Sequence, residues 1–177
     1  MRKDANVGVS IEIARHPLRA PGAESLVEMD ESMFDKTLAV DLKGVFLCMK
    51  HEIAHMLQSG GGAIVNNASI AGLIAEPGIS AYVAAKHGVI GLSKAAALDY
   101  ANKGIRINAL APGLVETAMT KPWFDDPAMR SYFMAISPIG CFAQPEEVAG
   151  MVLFLCSDFA SFAVGQTFAI DGGYTAR

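Results

Sequence analysis

The 177-residue chain has few cysteines, no cluster of positive charge and no long apolar run. Each absence excludes something. The most apolar stretch, Val148 to Cys156, is far shorter than the roughly 20 residues that cross a bilayer, so no membrane partner is expected. Lysine and arginine total 14 against 18 acidic residues, a formal charge of −4. Without a basic face, nucleic acid is not an expected partner either. The three cysteines, Cys48, Cys141 and Cys156, are odd in number, widely spaced and lack metal-ligand spacing. They read as small buried residues of a reducing compartment, and a cytoplasmic location is expected. Met1-Arg2-Lys3-Asp4 has no apolar core behind it, so no signal peptide is expected. Repeats, low-complexity tracts and linkers are absent too, and residues 1–177 read as one domain.

What the chain does have is apolar residues, 52% of the total, in a pattern suited to a buried parallel sheet. Residues 1–30 are irregular, with Pro17, Pro21 and Gly22 marking a loop. Asp30 is placed to cap a helix from about Glu31. Leu38, Leu42, Val45, Phe46, Met49, Ile53 and Met56 give it a period near 3.6, and Ser59-Gly60-Gly61-Gly62 ends it. A short strand follows over 63–68. A second helix starts after Ser80, read as its N-cap, and runs to Lys103-Gly104. Another strand spans 105–111 and stops at Pro112-Gly113. One short helix is expected near 127–136, and a further helix opens at Pro145 with stripe Val148, Met151, Val152 and Leu155. The last strand is 166–170, ended by Asp171-Gly172-Gly173. Strands alternating with helices predict a parallel sheet covered by helices, with ligands beyond the carboxyl ends of its strands.

Ser69, Tyr82 and Lys86 are the candidates for chemistry. Tyr82 and Lys86 lie four residues apart on one helical face. A ketone reduced by hydride needs a proton on its oxygen. A phenol with an unperturbed pKa near ~10 supplies it poorly at neutral pH unless a cation stabilises the phenolate. Ser69, at a strand end, can hold the carbonyl.

With this trio in place, Tyr82-Val83-Ala84-Ala85-Lys86, Asn108-Ala109-Leu110-Ala111-Pro112-Gly113 and the terminal Asp171-Gly172-Gly173 resemble the short-chain dehydrogenase/reductase family from residue 31 to the C-terminus. The resemblance implies an α/β fold: a Rossmann-type parallel sheet with flanking helices. It also implies NAD- or NADP-linked interconversion of a secondary alcohol and a ketone, with a small alcohol or carbonyl compound as substrate. Tyr82 would be the general acid/base, Lys86 its activator and a ligand of the nicotinamide ribose, and Ser69 the group that orients the substrate oxygen. Pro112, Gly113, Val115 and Thr117 would border the coenzyme, with the Val115 backbone and the Thr117 hydroxyl on the carboxamide. Residues 117–136 would be the substrate lid. A homodimer or homotetramer through the two long helices is implied, with Ile90 as an outer apolar position.

Two departures qualify the resemblance. The family's asparagine in a Val-Asn-Leu run is here Val40-Asp41-Leu42. Asp41 is expected to be hydrogen-bonded or protonated, and to take part in an altered proton relay to Lys86. No glycine-rich fingerprint precedes residue 31, so the fold is expected to lack the first strands and the cofactor loop. Ala5-Asn6-Val7-Gly8-Val9-Ser10 reads as the counterpart of the family's Asn-Asn-Ala-Gly strand, which makes Asn6 and Gly8 cofactor-side residues. A strand exposed in this way predicts edge-to-edge association. Three functions follow as alternatives: an active oxidoreductase, an inactive association module, or a zinc hydrolase. The last rests on His51-Glu52-Ile53-Ala54-His55, which matches His-Glu-x-x-His, with Glu76 as third ligand. Both histidines lie off the apolar stripe, and no bound metal is expected. Trp123, Phe124, Met129 and Phe133 suit a substrate pocket and the apolar side of a short helix equally.

Overall fold

The computed structural model describes the backbone of residues 6–10 and all of residues 25–176. The expected loop at Pro17 to Gly22 and the first residues of the chain lie outside these. Among the described residues, four strands form one all-parallel sheet in the order β1 (Asn6–Ser10), β2 (Gly62–Asn67), β3 (Ile105–Pro112), β4 (Thr167–Ile170). Parallel neighbours need crossovers, and helices supply them. The helices are α1 (Glu31–Leu38), α2 (Gly44–Ser59), α3 (Ser80–Tyr100), α4 (Lys121–Asp125), α5 (Pro127–Ile136) and α6 (Pro145–Cys156). This is the Rossmann-type arrangement that the alternation predicts. None of the described helices is long and apolar enough to cross a membrane.

The two faces of the sheet bury different sets of side chains, as a period of two requires. Ile64, Ile105 and Ile107 pack with Val45, Met49 and Ile53 of α2 and with Val89 and Ala97 of α3. Val65 and Leu110 point the other way, against Leu155 of α6. Asn66 is also inside; its Nδ2 donates to Ser93 Oγ at 2.8 Å, which ties β2 to α3. Cys156 is part of the second cluster. Burial pushes its thiol up and outweighs the lowering by Arg106. Cys48 and Cys141 are exposed, contrary to the expectation of burial.

The first long helix is not continuous. A π-helical turn, Ala39–Lys43, joins α1 to α2. The buried positions explain it: Thr37, Asp41, Val45, Met49 and Ile53 recur every fourth residue. In an unbroken α-helix each such step drifts by about 40° around the axis. One wider turn absorbs the drift and brings Asp41 inward, where a strict 3.6 period favours Leu42. Ser80 is likewise the first residue of α3 and not its cap, which is Ile79. Helix α4 was not expected from the sequence; it and α5 together cover the carboxyl end of the sheet.

The C-terminal turn is fixed by Asp171. Its Oδ1 accepts from the Gly173 N–H at 2.9 Å, and its Oδ2 accepts from the Thr175 N–H at 2.8 Å and the Thr175 hydroxyl. Burial pushes this carboxyl up, but the hydrogen bonds outweigh it and hold the group below its ordinary 3.8. A pKa depressed by folding contributes stability that is present above the unfolded value. That stability is lost as pH falls through the folded value. Protection of the Thr175 amide, taken relative to its intrinsic exchange rate, is therefore expected to fall as pH drops below about 4, and Asp171→Asn should abolish that acid limb.

Candidate active site

Strand β2 delivers Ser69 to the sheet's carboxyl end. The Ala68 N–H still reaches the Leu110 carbonyl at 2.8 Å, after which the chain turns into a short 3₁₀ segment, Ile70–Gly72. Ser69 caps that turn: its Oγ accepts from the Ala71 N–H at 3.1 Å. This fixes the oxygen and leaves the hydroxyl proton for an acceptor in the adjoining cavity.

The cavity, about 160 Å³, is lined by both Ser69 and Tyr82. Lys86, one turn beyond Tyr82, holds its ammonium 5.4 Å from the centre of the phenol ring. The Nζ donates to the Asn67 carbonyl at 3.3 Å and lies 3.9 Å from Asp41 Oδ1. Lys86 and Asp41 are 2% and 1% exposed. A buried ammonium alone is costly, and the carboxylate that the π-turn brings in offsets it. Of the three tips expected to converge, Ser69 and Tyr82 thus share one cavity, while Lys86 is buried behind the phenol ring and is not among the lining residues, with Asp41 beside its ammonium. Chemically, the arrangement can stabilise a phenolate and hand a proton to an oxygen held by Ser69.

Pro112-Gly113 ends β3 beside the end of β4. A Cβ on Gly113 would stand 2.8 Å from Asp171 Cα, so only glycine permits this approach. Beyond it, Val115 pairs with Ala143. Leu114 and Glu116 make the bonds to Ala143, so the N–H and C=O of Val115 face the other way. The Val115 carbonyl accepts from Thr120 Oγ1 at 2.6 Å, and that same oxygen accepts from the Thr117 N–H at 2.9 Å. The Thr117 hydroxyl is 3.1 Å from it. Buried Thr120 is thus the knot of this loop, a role unforeseen from sequence although Thr-x-x-Thr spacing was its visible signal.

Asn6 and Gly8 are not brought to this group. In the parallel register they pair with Gly62 and Ile64, at the start and middle of β2, whereas the site lies beyond its end. Trp123 and Phe133 line the cavity, while Phe124 packs with Phe133 and Phe142 in a separate small core, so both alternatives for this segment hold in part. His51 and His55 are exposed on α2. Glu76 lies in the cavity wall and accepts from the Tyr174 hydroxyl. No three metal-ligating side chains gather among the described residues. Ile90, expected on an outer face, is 6% exposed and packs in the core.

A family model described as enoyl-(acyl carrier protein) reductase matches residues 10–175. Cyclohexanol dehydrogenase of Acinetobacter sp. (strain SE19) is 49% identical over 153 residues, covering 86% of this chain and 59% of that protein. Cis-4-hydroxycyclohexanecarboxylate dehydrogenase of Sinomonas cyclohexanicum is 47% identical over 151 residues, covering 85% and 60%. The chain therefore spans about three-fifths of the length of these curated relatives. Among solved structures, a gluconate 5-dehydrogenase from Burkholderia cenocepacia J2315 in complex with NADP and tartrate superposes with a TM-score of 0.88. It is 33% identical and covers 99% of this chain and 67% of its own. A 4-hydroxyisoleucine dehydrogenase complexed with NADH gives 0.84 at 33% identity, covering 89% and 65%.

Proposed function

Because the chain belongs to the short-chain dehydrogenase/reductase family, we propose that it carries the proton-transfer site of an oxidoreductase that interconverts a small secondary alcohol and its ketone with NAD or NADP. The observation that carries this reading is the shared cavity of Ser69 and Tyr82, with the Lys86 ammonium set against the phenol.

Tyr82 is the acid/base. In the oxidising direction its phenolate takes the alcohol proton; in reduction its hydroxyl returns a proton to the forming alkoxide. Lys86 stabilises the phenolate, and the Asn67 carbonyl and Asp41 hold the ammonium in place. Ser69 donates to the substrate oxygen and keeps it within reach of Tyr82. The nicotinamide coenzyme, when bound, exchanges a hydride with the substrate carbon. The residues suited to its nicotinamide end are Lys86 and Tyr82 at the ribose, with Gly113, Val115 and Thr117 at the carboxamide. The Val115 N–H, which faces away from Ala143, fits such a group, while its carbonyl is held by Thr120. Helices α4 and α5 act as the cover that excludes water. The names of the two curated relatives support a ring-bearing alcohol as substrate.

Titration with NADH and NADPH, followed by assay with cyclohexanol, tests the reading. Saturable binding of either coenzyme and alcohol-dependent reduction of its oxidised form are expected. Absence of both would overturn it.

Association is a second reading, and one surface favours it. An apolar groove lined by Leu38, Leu42, Phe46, Gly88, Gly91 and Leu92 lies between the long helices, a surface suited to a homodimer or homotetramer.

A further inference from the structure

The cavity wall consists mainly of aliphatic and aromatic side chains, among them Ile70, Ile74, Ile79, Met119, Trp123 and Phe133. Glu76 is the one charged side chain among its lining residues. The carboxylate is not a stray surface group. It sits on the segment between the Ser69 turn and α3, and it accepts from the hydroxyl of Tyr174, a lining residue 98 positions away in the C-terminal turn. Asp171 anchors that turn. Two distant segments therefore meet at a negative charge beside an otherwise apolar chamber.

From this we propose that Glu76, held by Tyr174, selects substrate by charge: the site takes small neutral ring-bearing alcohols and ketones and rejects their carboxylate-bearing counterparts. The inference rests on the alcohol–ketone reading above and names the substrate class of that same site. The apolar wall favours a hydrocarbon ring by removing its surface from water. An anionic group on the ring would have to approach Glu76 within a few ångströms, where solvent screens little. It would also give up part of its own hydration, and no cation among the described residues lines the cavity to take its charge. The cavity, about 160 Å³, is small enough for a single ring to fill, which puts a substituent on that ring close to Glu76. A neutral hydroxyl or amide at that end meets no such barrier, since the carboxylate can accept from it.

The experiment compares kcat/KM for cyclohexanol, cis-4-hydroxycyclohexanecarboxylate and the corresponding neutral carboxamide, which matches the carboxylate in size. Each is measured in the wild type, Glu76→Gln and Glu76→Asp. Wild-type protein is expected to prefer the carboxamide to the carboxylate by about tenfold or more. Glu76→Gln should shrink that ratio about tenfold, whereas Glu76→Asp, which keeps the charge, should retain most of it. Equal use of carboxamide and carboxylate by the wild type would overturn the proposal without any variant. So would a ratio that Glu76→Gln leaves unchanged. Ligand-observed NMR with the corresponding ketones separates this inference from the reading beneath it. Selective binding of the neutral ketones without turnover would overturn the oxidoreductase reading and support the charge filter. Charge-blind binding, or no binding, would overturn the filter.

Discussion

Tyr82→Phe is expected to lower kcat for alcohol oxidation by about 10²–10⁴-fold while leaving the fold in place and weakening coenzyme binding by no more than one lost ribose hydrogen bond. The substitution removes one oxygen from a half-exposed side chain at the cavity wall and keeps the ring against which Lys86 rests. What disappears is the only proposed proton carrier that touches the substrate. Because proton transfer belongs to the transition state and not to ground-state binding, the loss should fall on kcat more than on KM. The measurement is steady-state kinetics at saturating coenzyme on protein whose thermal melt matches the wild type. A variant retaining more than about one-tenth of wild-type kcat would show that another group carries the proton.

The second large effect is expected at Gly72, which touches no substrate. A Cβ there would stand 2.7 Å from the carbonyl oxygen of Lys86 and 2.9 Å from its carbonyl carbon. Both are backbone atoms of α3, so no side chain can swing away to make room. Gly72→Ala must part the Ser69 turn from the helix that carries Tyr82 and Lys86. Forced overpacking of this kind costs about 1–3 kcal/mol. The same shift moves Ser69 relative to the phenol, and a displacement near 1 Å can cost about 100-fold in rate. We expect a lower Tm together with a fall in kcat/KM of tenfold or more. Gly150→Ala is the control. It also lies in a helix, but nothing stands within 4 Å of its added methyl. It should be neutral or stabilising by up to about 1 kcal/mol. If the two alanine variants behave alike, the close approach at Gly72 does not hold the site together.

Much of this arrangement could be read in the residues alone. Glycine and proline end the elements where they were expected to, and the four-residue spacing of Tyr82 and Lys86 needs no tertiary information. Two kinds of feature were hidden. The π-turn at Ala39–Lys43 is invisible to a reading based on one helical period, because the sheet decides which residue faces inward. That is why Asp41, and not Leu42, is buried. Contacts between distant segments were also hidden. Glu76 drew notice only as a third zinc ligand, and Tyr174 not at all, because nothing local joins positions 98 residues apart. Thr120 was missed for the opposite reason. Its spacing to Thr117 was visible, but a hydroxyl pair three residues apart has too many ordinary uses to stand out. Asn108 belongs with the hidden group. It was legible as part of a motif, yet its work is structural: Nδ2 donates to the Ala163 carbonyl at 2.8 Å and Oδ1 accepts from the Gln166 N–H at 3.0 Å.

That amide begins the pairing of β3 with β4 before the ladder itself starts. The contact spans 58 residues of sequence, so it has to close a large loop, and such contacts are slow to form. The β3–β4 ladder continues from it, and Asp171 at the Gly113 approach and Tyr174 in the chamber wall follow directly on that strand. Detachment of the last strand would therefore dismantle one side of the reaction chamber at the same moment. Local melting of the C-terminal end is thus expected to take Tyr174 out of the chamber wall together with the last strand.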